Sequence, residues 1–142
     1  WTDVVWGDLD VLFIDMPPGT GDVPLTVYQS IQLDGNIIVS TPQSLVQMVV
    51  GKAQRMADML NIPVLGFVEN MSYIRCPDCG KEIPLFGDGK GLEQAAQALG
   101  LPILARLPMD ASVAALCDSG EIERVVCEEL SGAVDAVENL LK

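Results

Sequence analysis

Asp10-Val-Leu-Phe-Ile-Asp15 decides the fold class: a short apolar run bounded by acids, running straight into Met16-Pro-Pro-Gly-Thr-Gly-Asp22. Four apolar residues without alternation fit a strand covered on both faces, the kind found in parallel sheets. The prolines and glycines that follow mark a loop. Working outward, Gly35-Asn-Ile-Ile-Val-Ser-Thr41, Pro63-Val-Leu-Gly-Phe-Val68 and Ile103-Leu-Ala-Arg-Leu107 read as three further strands of this kind. Helical stretches separate them: Pro24 to Gln32, Leu45 to Leu60 with Ser44 as its cap, and Leu92 to Leu99 with Gly100 as its C-cap. In the second of these, Val46, Val49, Val50, Ala53, Met56, Ala57 and Leu60 form one apolar stripe. Residues 111–118 and 122–141 read as two final helices, and 71–91 as an irregular stretch. Strand and helix alternate four times. That pattern predicts an α/β fold, a parallel sheet with flanking helices and right-handed crossovers.

Composition agrees with one globular domain. The 142 residues are 49% hydrophobic and 20% charged, and aromatics are only 5%, so Val, Ile, Leu, Ala and Met must build the core. No apolar run reaches the length of a membrane span, and no secretory signal opens the chain, which predicts a cytoplasmic protein. Acidic residues outnumber basic ones 20 to 8, a net charge of −12. That balance argues against nucleic acid and anionic membrane as partners. Any nucleotide phosphates must be held by local backbone groups. The chain has no histidine, which removes Ser–His–Asp and Cys–His catalysis and every mixed Cys/His zinc site. It opens on Trp1 with little before its first strand, and so reads as incomplete.

Ligands of parallel sheets gather at the carboxyl ends of the strands. Here those ends are Asp15 to Gly21, Thr41 to Ser44, Asn70 to Ser72 and Pro108 to Asp110. A strand-ending acid such as Asp15 suits the Mg²⁺ side of a bound nucleotide, because a hard cation takes carboxylate or water oxygens. The loop after it can turn N–H groups towards a γ-phosphate. Strand plus Asp alone fits a capped turn better; the complete string through Asp22 reverses that and favours the nucleotide.

Cys76-Pro-Asp-Cys79-Gly80 is the second signal. The spacing lets both sulfurs reach one metal. Pro77, Gly80 and Pro84 argue against the helix that a thioredoxin-like redox pair would open. A zinc ribbon needs four ligands, and Cys117 and Cys127, ten apart in helical sequence, fit no standard knuckle. They read as small buried apolar residues, and the methionines as core filler. Two copies of Cys76 and Cys79 would make four thiolates across a dimer, enough for tetrahedral zinc or a 4Fe-4S cluster. The residues alone leave zinc and cluster equal.

Leu9 through Asp22 closely resembles the Mrp/ApbC family of cluster-carrier ATPases, part of the MinD/ParA-like group of P-loop NTPases with a deviant Walker A loop. The resemblance continues through Ser40 to Ala53, Gly66 to Tyr73, Cys76 to Gly80, Leu85 to Gly91 and Leu107 to Val113, covering about Trp6 to Val126 in family order. It implies a P-loop NTPase fold of the SIMIBI/MinD type. Asp15 would be the Mg²⁺-side carboxylate and Gly19 part of the loop that senses the γ-phosphate. Asn70 would read the adenine, flanked by Pro108, Met109 and Asp110, although Asp110 also reads as a helix N-cap. The resemblance implies ATP, Mg²⁺ and a 4Fe-4S cluster bridging a homodimer through Cys76 and Cys79, with apo iron–sulfur proteins as recipients.

One departure is large. The phosphate-binding Gly-rich loop is not in residues 1–142: Gly51-Lys52 falls inside a helix, and Gly87-Asp-Gly-Lys-Gly91 lacks the spacing and the preceding strand. The resemblance therefore implies one incomplete domain, an ATP hydrolase in the parent protein but inactive alone. The rival expectation is a MinD/ParA-like regulatory or partitioning ATPase with a structural zinc knuckle. Such relatives use a membrane-binding tail or a basic surface, and the acidic Glu128 to Lys142 segment fits neither.

Overall fold

The computed structural model describes residues 2–43, 46–86 and 90–142, with the backbone alone at 46 and 47. The elements in chain order are α1 (Asp22–Ser30), β1 (Asn36–Ser40), α2 (Val46–Met59), β2 (Val64–Arg75), β3 (Glu82–Pro84), α3 (Gly91–Leu99), β4 (Ile103–Pro108), α4 (Ala111–Asp118) and α5 (Ser131–Glu138). Two single-turn 3₁₀ helices, Ile122–Arg124 and Glu128–Leu130, join the last two. The Ser44 cap and residues 87–89 lie outside the described residues.

The fold is the expected α/β arrangement. β2 is its axis, pairing in parallel with β1 on Val64 to Glu69 and with β4 from Phe67 to Tyr73. Alternation along β2 sends successive side chains to opposite faces. Phe67, wholly buried, packs with Ile38, Val50, Leu92 and Ala96, so α2 and α3 cover that face. Val68 packs with Ala105 and Ala133, so α5 covers the other. Gly100 ends α3 in the left-handed conformation (φ 67°), its N–H donating to Ala96 and Gln97 carbonyls, as its reading as a C-cap requires.

Five expectations fail. Val11 to Ile14 forms no strand: residues 11–17 join no ladder, and Phe13 is 75% exposed. The 71–91 stretch is not irregular throughout, because β2 runs on to Arg75 and turns back as β3 in an antiparallel hairpin. The 122–141 helix is broken into two 3₁₀ turns and the short α5. The methionines are not core filler: Met48, Met59, Met71 and Met109 are exposed. Similarly, Cys117 is exposed and Cys127 only half-buried.

Candidate functional site

The cysteine pair caps the β2–β3 hairpin. Tyr73, Ile74 and Arg75 pair with Pro84, Ile83 and Glu82, which brings the chain back on itself around Cys76 to Lys81. Two backbone bonds close the tip: Cys76 N–H donates to the Lys81 carbonyl and Gly80 N–H to the Cys76 carbonyl, both at 2.9 Å. Gly80 takes φ 70°, a left-handed conformation that glycine adopts without strain, and Pro77 fixes the start of the turn. The sequence thus makes a knuckle, not a helix. Cys79 is exposed and Cys76 half-buried. The backbone N–H groups of Cys79 and Asp78, then the Cys79 side chain, hold the Cys76 thiol below its ordinary range, against a smaller opposing effect of burial. N–H donors stabilise the thiolate, the form that binds metals. Cys127 behaves oppositely: burial and Glu129, which accepts its S–H at 3.6 Å, push its thiol up. Among the described residues no three His, Cys, Asp or Glu side chains converge to hold a metal, so these residues offer the two cysteines alone at this site.

Arg75 anchors the knuckle. Its guanidinium reaches Glu82 on β3 (3.4 Å), Glu129 on the second 3₁₀ turn (3.3 Å) and the Tyr73 hydroxyl (3.2 Å), with its Cζ 5.7 Å from the centre of the Tyr73 ring. Sequence reading missed this residue, because its main partner is 54 positions away.

At the carboxyl end of the sheet the Pro108–Asp110 loop meets Tyr73, three positions after Asn70. Pro108 pairs with Tyr73, and Met109 N–H donates to the Tyr73 carbonyl at 2.8 Å. Asn70 is half-exposed and its side-chain oxygen accepts from Met71 N–H at 2.9 Å. Asp110 caps α4 through Ser112 N–H at 2.8 Å, and that bond holds its carboxyl below the usual range. The N-cap expectation for Asp110 is met. Asp15 and Gly19 lie on the 10–21 segment, which joins no ladder with this sheet; Asp15 is exposed beside a hollow shared with Trp6, Leu12, Phe13 and Ile31.

A buried polar group stands next to Asn70. Glu69 is 1% exposed; its Oε2 accepts from Ser72 Oγ at 2.6 Å and lies 3.4 Å from Arg106 Nε, while Arg106 also reaches Glu93 of α3 at 3.5 Å. A charge directly after the apolar Val64–Val68 run was the available sequence signal for it.

The family model described as NUBPL iron-transfer P-loop NTPase, of the ParA group, matches residues 1–142. An iron-sulfur cluster carrier protein of Methanocaldococcus jannaschii is 51% identical over 120 residues, 84% of this chain and 41% of that protein. The iron-sulfur cluster transfer protein NUBPL of Mus musculus is 45% identical over 118 residues, 83% of this chain and 37% of that one. A nucleotide-binding protein from Archaeoglobus fulgidus, solved in complex with ADP, superposes with a TM-score of 0.79 at 45% identity, covering 89% of this chain and 51% of the other. The chain spans about two fifths of the length of these two carrier relatives. With the whole chain matched and the α/β sheet in place, the chain belongs to the NUBPL-type iron-transfer P-loop NTPase family.

Proposed function

We propose that this chain is the cysteine-bearing part of an iron–sulfur cluster carrier, one incomplete P-loop NTPase domain with its CxxC segment at about 71–91. The observation that carries the proposal is the Cys76–Cys79 knuckle: two accessible thiols on a rigid hairpin, one of them tuned towards the thiolate, and no further ligand nearby among the described residues. Two thiolates leave an iron–sulfur cluster half-ligated, so a second copy supplies the other two and a 4Fe-4S cluster bridges a homodimer. The exposed tip leaves the cluster open to the thiolates of apo-proteins, its recipients. The carrier names of the relatives support cluster over zinc.

The nucleotide side belongs to the same proposal. Asn70, with Pro108, Met109 and Asp110 beside it, receives the adenine, since one amide offers both donor and acceptor. Asp15 serves the Mg²⁺ of ATP and Gly19 the γ-phosphate. ATP hydrolysis is the work of the longer protein. The ADP complex of the Archaeoglobus fulgidus relative supports this reading. The net charge of −12 fits a cytoplasmic carrier that engages neither nucleic acid nor membrane. No helix among the described residues is long and apolar enough to cross a membrane.

Anaerobic reconstitution with iron and sulfide tests the proposal. The wild-type protein is expected to turn brown and take up about four irons per dimer. The double variant Cys76→Ser, Cys79→Ser is expected to take up none. Equal uptake by the variant sinks the assignment, and a colourless wild type holding stoichiometric zinc favours the partitioning alternative.

A further inference from the structure

Asn70 and Cys76 stand on one continuous stretch of chain, β2 and the residue after it. They are six positions apart, about 20 Å if fully extended. The strand between them is not regular. Glu69 pairs with Arg106 and Tyr73 with Pro108, so three β2 residues, Asn70, Met71 and Ser72, face the single Leu107 of β4. This is a bulge, and its middle residue, Met71, has φ 53°, a region that non-glycine residues seldom occupy. One short bond closes it, from Ser72 Oγ to Glu69 Oε2 at 2.6 Å, and both residues are buried. Glu69 Oε1 is buried with no hydrogen-bond partner among the described residues. A carboxylate buried in this way is a poor stabilising device. What it does is fix a geometry: the Glu69 backbone is held between Ser40 of β1 and Arg106 of β4, and its side chain ties Ser72 to that fixed point.

We infer that the Glu69–Ser72 bond is the joint through which the Asn70 end and the Cys76 hairpin respond to one another, with Glu69 a positioning residue for both. The reasoning is mechanical. Tyr73 to Arg75, directly after the bulge, carry the ladder to β3 and hence the knuckle. A tied bulge passes a displacement of Asn70 on to Tyr73. An untied one absorbs it, because extra residues allow local changes of twist that a regular ladder resists. Arg106 and Glu93 extend the fixed point to α3.

The inference rests on the proposed function, and the experiment separates the two. The readout is the rate at which the ferrous chelator bathophenanthroline removes iron from the cluster-loaded full-length protein, taken as a ratio with and without Mg-ATP. Ser72→Ala and Ser72→Gly each remove the hydroxyl, so either one suffices if the other folds poorly. In both, the ratio is expected to fall about tenfold, or to unity where the wild-type ratio is smaller, the worth of one charge-assisted hydrogen bond. Iron content and ATP affinity stay within about twofold of wild type, since neither residue touches either ligand. Ser72→Thr keeps a hydroxyl in reach of the Glu69 carboxylate and retains the wild-type ratio. A folded, loaded Ser72→Ala or Ser72→Gly protein with the wild-type ratio overturns the joint. A loaded wild type whose ratio is already one overturns the joint alone, whereas a wild type that takes up no cluster removes the proposed function with it.

Discussion

Val11–Ile14 and Ile37–Val39 are near twins in sequence and opposites in structure. Each is a short apolar run followed within a few residues by a turn rich in proline or glycine. Yet Ile37–Val39 lies in a parallel ladder with Gly66–Val68, and Ile38 is buried under α2 and α3. Val11–Ile14 joins no ladder, and Leu12 and Phe13 face outward. The difference lies in the neighbours. A β-propensity is mostly a preference for packing against adjacent strands, so the same residues change behaviour when the adjacent strand is absent. β1 itself is only half provided for: it pairs with β2 alone, and Val39 is 62% exposed. Among the described residues one run thus has a single strand partner and the other none.

The largest effect should separate Phe67 from Phe13. Phe67 is wholly buried in the β1–β2–α2–α3 core, and Phe67→Ala is expected to lower stability by about 3–5 kcal/mol in urea unfolding. In the same 142-residue chain Phe13→Ala should change it by less than about 0.5 kcal/mol. If a longer form of the protein places a strand over this run, the Phe13 effect there should rise to about 2 kcal/mol or more. A large Phe13 effect in the short chain would break the comparison; equally small effects in both lengths would leave Val11–Ile14 a loop in every context.

Glycines sharpen the contrast at lower amplitude. Gly66 sits in β2 at φ 153°, and a Cβ there would stand 2.6 Å from the Pro102 carbonyl oxygen. Gly21, in the N-terminal segment, has open space around it and extended backbone. Gly66→Ala is therefore expected to cost about 2–3 kcal/mol through clash and backbone strain, and Gly21→Ala less than about 1 kcal/mol as a weakened helix cap. Thermal unfolding of the two variants beside the parent checks the order. A Gly66→Ala protein as stable as Gly21→Ala would mean that β2 is no better packed than the N-terminal segment.

What could be read from the sequence follows the same division. Strands at 36–40, 64–68 and 103–107 were legible because each apolar run finds its partners within the chain. So were the α3 cap at Gly100 and the Asp110 cap, which depend on neighbours a few residues away. The CPDCG knuckle was legible for the same local reason. The β2–β3 hairpin was not, because Tyr73–Arg75 and Glu82–Pro84 alternate too briefly to mark a strand. The last helix broke at residues 125–127, between the 3₁₀ turns Ile122–Arg124 and Glu128–Leu130, despite apolar residues spaced for a helical face. Arg75, Glu69 and Ser72 escaped notice since their roles come from strand pairing and a bulge, which spacing along the chain does not encode. The residues proposed for the nucleotide divide in the same way: Asn70 lies on β2 and Pro108 ends β4 beside Tyr73, while Asp15 and Gly19 lie on a segment without a ladder.

The smallest effect concerns a third kind of region, one that projects from the sheet but is tied to it. The Cys76–Cys79 hairpin is as exposed as the 10–21 segment, yet three β2–β3 pairs and the Arg75 contacts to Glu82 and Glu129 hold it. Arg75 and Glu82 are more than half exposed, and Glu129 about a quarter. Ion pairs of this sort contribute little, because water screens them and two long side chains must be ordered. Arg75→Ala should therefore raise amide hydrogen exchange at Ile74, Cys76 and Ile83 only about two- to fivefold, the range open to weak exposed pairs. Exchange there should remain slower than at Leu12 and Phe13, whose N–H groups join no ladder. The guanidinium acts on the hairpin angle and the ladder acts on its existence, so removing the first must leave the second. If Arg75→Ala instead brings the hairpin to the exchange rate of Leu12 and Phe13, then the ladder is the minor term and one arginine alone keeps the knuckle folded.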